Sequence, residues 1–218
     1  MTASTEVLAA GHGTASAEGG TQLGYVQGRL DTTLIGVLLF ITSEIMFFAG
    51  LFAAYFTVRA GHGNPWPPEG FEPELPIALV LLGILLTSSL TMEYSLRRIR
   101  AGDRTGLVRG LTVTLVLGAL FLIGQLYDYS ILGFGVSSGI YGTVFYTLTG
   151  FHGAHVFGGV VAIAVMLARG AAGQFSARHH AAIEGVSWYW HFVDVVWIGL
   201  VTTLYVLPIL EGSAHVGG

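Results

Sequence analysis

Five apolar runs, each long enough to cross a lipid bilayer, constrain this chain more than any other feature of its sequence. They cover residues 32–58, 75–96, 107–127, 138–168 and 186–210. The first makes about 40 Å of helix at 1.5 Å per residue, against a hydrocarbon core of about 30 Å. Lipid offers no partner to a backbone amide, so a run of this length satisfies its own hydrogen bonds as a helix. The expected fold is all-α: an integral membrane bundle of five transmembrane helices. Composition agrees, with 53% hydrophobic and 10% charged residues and a mean hydropathy of +0.69. The fourth run is long for a perpendicular span and should tilt or protrude. Pro208 falls near the end of the fifth, where a proline does least harm.

The flanks divide the chain into a flexible polar tail (1–29), a transmembrane domain (30–211) and a short C-terminal tail (212–218). The first tail has neither the positive start and apolar centre of a secretory signal nor the several arginines of a presequence. There is no lysine, so the arginines set the expected orientation. Arg29, Arg97, Arg98, Arg100, Arg104, Arg109, Arg169 and Arg178 fall on one side and only Arg59 on the other. The positive-inside rule then puts the N-terminus in the cytoplasm and the C-terminus outside, as expected of a multi-pass protein of the plasma membrane.

Several kinds of chemistry are disfavoured at once. With no cysteine there is no disulfide, no thiolate nucleophile and no cysteine-ligated metal. A net charge of −4 leaves no basic patch for nucleic acid. Gly135-Val-Ser-Ser-Gly139 fits the pattern G-x-S-x-G, but it joins two spans where a hydrolase needs a strand before it, so Ser137 or Ser138 is expected to cap span four.

The polar residues inside the spans carry what chemistry remains. In span five, Trp190, Asp194 and Trp197 stack on one helix face, with Trp188 and His191 on a neighbouring one. A carboxylate and an imidazole one turn apart, walled by indoles, must face protein. Glu44 lies near mid-membrane in span one, where a charged carboxylate costs about 2.5–3.5 kcal/mol. It therefore hydrogen-bonds a neighbouring helix as a structural group, or serves proton movement or lipid contact. In span four, His152 and His155 lack a third ligand for a metal. Gly150, Ala154 and Gly158 form a small-residue ridge, so the two histidines are expected to hydrogen-bond across a tight helix contact. His179 and His180, beside Arg178, read as a solvated corner that also suits a lipid phosphate.

These residues carry a resemblance. Phe40-Ile-Thr-Ser-Glu44-Ile-Met-Phe-Phe48, Trp66-Pro-Pro, Gly139-Ile-Tyr-Gly-Thr-Val-Phe, Thr149-Gly-Phe-His152-Gly-Ala-His155-Val, His179-His180 with Glu184, and Trp188-Tyr-Trp-His-Phe-Val-Asp-Val-Val-Trp197 occur in this order in separate spans. Together they make the chain similar to subunit III of the haem–copper oxidases, in its short five-helix bacterial form. The resemblance implies a helical subunit that packs on subunit I beside subunit II, with a small subunit IV as a further partner. It also implies that this chain binds no haem or copper, those being held by partner subunits, and that phospholipid lies against it. Glu44 matches the family's buried carboxylate; the histidines and tryptophans of the last two spans match its packing and lipid-contacting core.

The expected role is accordingly that of a non-redox accessory subunit of a cytochrome c:O2 reductase, with no catalytic residue of its own, supporting proton uptake, turnover stability and assembly. Cytochrome c or quinol would be met only through other subunits. A quinol oxidase subunit III, or the accessory subunit of a nitric oxide reductase, is the alternative. An independent transporter or proton channel, with Glu44, Asp194 and the histidines as its relay, is more remote because no inverted repeat is visible.

Overall fold

Helices begin and end where the connections between the apolar runs turn polar or glycine-rich. The computed structural model describes residues 32–62, 65–68, 71 and 74–210. The two tails, and with them Arg29 and Glu211, lie outside the described residues. Five long helices follow one another: α1 (Thr32–His62), α2 (Leu75–Arg100), α3 (Arg104–Ile131), α4 (Ile140–Ala171) and α5 (Ala181–Val201). A π-helical turn, Thr202–Val206, carries α5 on to Leu210. All five are long and apolar enough to span a membrane. Most run a turn beyond the apolar stretch expected from sequence, because the backbone ladder continues through flanking polar residues such as Arg97, Arg98 and Arg100.

One departure concerns the start of a span. Span four begins later than expected and is not capped by Ser137 or Ser138: its N-cap is Gly139, at φ +127°, a conformation that side-chain-bearing residues rarely adopt. Ser138 Oγ instead accepts the Gly135 N–H at 2.8 Å and closes the preceding turn. Near the other end of the chain, Pro208 falls close to the end of its helix as expected, with the wide π turn just before it.

Short connections impose an up-and-down order. Gly102 (φ +80°) turns α2 into α3, and Asp103 caps α3 by accepting the Gly106 N–H at 2.8 Å. At the arginine-rich end, Arg104 Nε donates to the carbonyl of Gly170 at 2.9 Å and its guanidinium also reaches Ala171, closing the C-terminus of α4. Arg100 pairs with Glu184 at 3.1 Å and ties the end of α2 to the start of α5. At the opposite end, the Trp66 Nε1–H donates to the Tyr55 hydroxyl at 2.9 Å, and Tyr55 donates to the Thr203 carbonyl within the π turn at 3.3 Å.

Burial is uneven. α5 packs on α1, α2 and α4. α1 buries only Ile41, Phe48 and Tyr55, at a spacing of seven, so a single seam holds it to the bundle. The small-residue ridge on α4 is the clearest correction. A Cβ at Gly150 would meet nothing within 4 Å, one at Gly158 would make ordinary contact with the Tyr189 hydroxyl, and Ala154 is exposed. The close approach lies one residue further on, at Gly159, where a Cβ would come within 2.7 Å of the Trp190 ring. Gly118 of α3 flanks the same indole, and a Cβ there would come within 2.9 Å of the ring.

Candidate functional site

Two polar clusters occupy the apolar interior, and α5 borders both. The first joins α1 to α4. Glu44 Oε2 lies 2.9 Å from His155 Nε2, and His155 Nδ1 lies 2.7 Å from the carbonyl of Phe151. A carbonyl only accepts, so Nδ1 carries a hydrogen and one further proton is shared between Nε2 and the carboxyl. Phe48 packs edge-on against the imidazole, its ring centroid 4.9 Å away. Tyr189 of α5 donates to the His155 carbonyl at 3.0 Å.

The second cluster joins α2 to α5. Ser89 Oγ bonds Asp194 Oδ2 and lies 2.9 Å from His191 Nδ1. Its neighbour Ser88 accepts the Trp190 Nε1–H at 2.9 Å and donates to the Leu85 carbonyl at 2.6 Å. Trp190 and Trp197 are fully buried beside Asp194, whereas Trp188 turns outward.

Of the two histidines expected to hydrogen-bond across a helix contact, only one does so. His155 does bond across helices, to Glu44. His152 is fully buried and stacks on Trp197 with ring centroids 4.9 Å apart and planes 21° from parallel. Phe121 meets its edge at 5.7 Å, and neither of its nitrogens has a hydrogen-bond partner among the described residues. Three residues of helix offset it from His155 by only about 60°, and on that side its neighbours are the rings of Phe121 on α3 and Trp197 on α5.

The loop histidines also separate. His179 and Arg178 are exposed in a tight turn where Ser176 and His179 exchange backbone hydrogen bonds. His180 opens α5, 3.9 Å from the Glu184 carboxylate. Among the described residues no three His, Asp or Glu side chains converge as metal ligands.

Sequence reasoning missed two things. The serines of α2 hold the α5 motif; the signal was Thr87-Ser-Ser89, a polar run inside an apolar span that needs partners on another helix. Gln125 lies inside the third apolar run and Asp128 just past its end, and both are buried in the last turns of α3.

Five membrane-length helices, with one part-buried carboxylate–imidazole contact and one serine-bridged Asp–His pair between them, define a polytopic α-helical membrane protein. Comparison with known proteins narrows the class. Residues 15–208 match the family described as Cytochrome c oxidase subunit III. A probable cytochrome c oxidase subunit 3 of Nocardia farcinica is 43% identical over 188 residues, covering 85% of this chain and 93% of that protein. The cytochrome c oxidase subunit 3 of Corynebacterium diphtheriae is 44% identical, over 81% of this chain and 89% of its own length. That of Lumbricus terrestris is 40% identical, over 85% of this chain and 74% of its own. The chain belongs to the cytochrome c oxidase subunit III family, and is thereby a membrane-embedded subunit of a haem–copper oxidase that works beside other oxidase subunits.

Proposed function

We propose that this chain is the non-redox accessory subunit of a cytochrome c:O2 reductase of the plasma membrane. It packs on subunit I, neighbours subunit II, and supports proton uptake and the durability of turnover. The observation that carries this reading is the Glu44–His155 pair. It is a proton-bearing site well inside the first span, on the helix that the rest of the bundle covers least. The relatives' names favour cytochrome c over quinol as the donor to the complex.

His152 and His155 do not face a common site. His152 lies flat on an indole, while both nitrogens of His155 are engaged by Glu44 and the Phe151 carbonyl. In this reading the redox centres belong to the partner subunits. Phospholipid fits the apolar groove of about 490 Å3 between α1 and α5, lined by Ile41, Ile45, Phe52, Phe192, Val195 and Gly199. The arginine-rich ends of the helices face the cytoplasm in this reading.

Removing the chain from the purified complex tests the proposal. Oxygen reduction is expected to continue with the haem spectrum intact, but each complex should inactivate after fewer turnovers and take up protons more slowly. Immediate loss of the haem signal would overturn the division of labour. Co-purification with a quinol-oxidising subunit or a nitric oxide reductase would move the assignment to those complexes.

A further inference from the structure

Ser89 lies between an acid and a base, and a hydroxyl has only one proton to donate. Two arrangements satisfy the same heavy-atom positions. With Asp194 ionised, Ser89 donates to Oδ2 and accepts the Nδ1–H of a neutral His191. With Asp194 protonated, its O–H donates to Ser89, Ser89 donates to a bare Nδ1, and the imidazole hydrogen sits on Nε2. The two states differ by one proton, with no side chain moved.

We propose that His191, Ser89 and Asp194 form a proton relay that loads a proton from the surface of the bundle onto a buried carboxylate. The step balances: a proton arrives at His191 Nε2, the Nδ1 proton passes to Ser89 Oγ, and the Ser89 hydroxyl proton passes to Asp194 Oδ2. The trio goes from a charge of −1 to zero. Direction follows from burial, since the His191 ring is half-buried and Asp194 is 4% exposed. On α2, Glu93 stands one turn beyond Ser89 toward the arginine-rich end, paired with Arg97 at 2.8 Å, and is the carboxylate whose charge reaches His191 from that side.

The other titratable groups beside α5 are engaged elsewhere. Glu44 and His155 bond each other, Tyr189 bonds the His155 carbonyl, and His152 stacks on Trp197. Asp194 Oδ1 is buried and makes no hydrogen bond among the described residues, so the chain of bonds ends there and the trio holds its proton. The relay is a property of these three side chains; its service to proton uptake rests on the function proposed above.

Infrared difference spectra of the purified oxidase complex across a pH titration test it, with Asp194→Asn identifying the Asp194 carboxylic carbonyl band. In the unmodified complex that band and the imidazole tautomer bands should change in one joint step. Ser89→Ala should split the step in two, and Ser89→Thr should restore it. A joint step that survives Ser89→Ala, or the absence of a titrating carboxylic band removed by Asp194→Asn, overturns the relay. Proton uptake measured on the same samples separates the two claims: normal uptake with a split step keeps the relay and removes its role in uptake. If Ser89→Ala does not assemble, His191→Gln must shift the midpoint of the Asp194 band, and an unshifted midpoint overturns the proposal.

Discussion

Glu44 and Asp194 were both legible in the sequence as intramembrane carboxylates, because a charge in lipid demands a partner. Their partners were not, since His155 is 111 residues from Glu44 and Ser89 is 105 from Asp194, and no spacing rule reaches across helices. The pairing makes different substitutions at one contact behave differently. Glu44→Gln keeps a group that can donate to His155 Nε2, so unfolding in detergent should change by less than about 1 kcal/mol. His155→Leu leaves the mostly buried Glu44 without its partner and should cost about 1–3 kcal/mol. Thermal unfolding of the two variants side by side checks this; equal losses would mean that the bond contributes nothing to stability. His152 was read wrongly for a related reason: its neighbours, Trp197 and Phe121, offer rings where a hydrogen bond was expected.

At the scale of the helix, apolar length fixed the number of spans, and glycine spacing failed to place the tight contact. Four-residue spacing shows where a helix is smooth, but not what it meets. Here the smooth ridge of Gly150, Ala154 and Gly158 faces away from the close contact, while Gly159 and Gly118 grip the Trp190 ring from two sides. Gly159→Leu should therefore displace the indole, break its bond to Ser88 and cost about 1–3 kcal/mol or more by overpacking, whereas Gly150→Leu should leave thermal stability unchanged. The opposite ranking would show that the ridge is the packed face after all. The π turn was illegible because it records how the end of α5 meets the Tyr55 hydroxyl, a contact made by tertiary structure. Arginines likewise read as topology signals but also act as ties. Arg104→Ala should release the carbonyls of Gly170 and Ala171, seen as faster amide hydrogen exchange confined to the last turn of α4 and the 172–180 connection.

For the whole molecule, up-and-down order follows from five spans joined by short connections, so α1 and α5 run parallel and begin at the same end. Which helices touch does not follow from order, and the placement of α1 is the most exposed consequence of the fold. Its seam of Ile41, Phe48 and Tyr55 is continued toward the arginine-rich end by Val37, which packs against Gly185 of α5. A Cβ built on Gly185 lies 3.6 Å from that of Val37, within the range of about 3.5–4.5 Å that a disulfide spans. The chain has no cysteine of its own, so Val37→Cys combined with Gly185→Cys gives a clean test in native membranes. Mild oxidation should cross-link the pair within one chain, seen as faster migration that reductant reverses, while Leu39→Cys with Gly185→Cys should not react because Leu39 faces outward. Failure of the first pair in the assembled complex, with success in the isolated subunit, would mean that α1 leaves α5 to pack on a partner, carrying Glu44 away from His155.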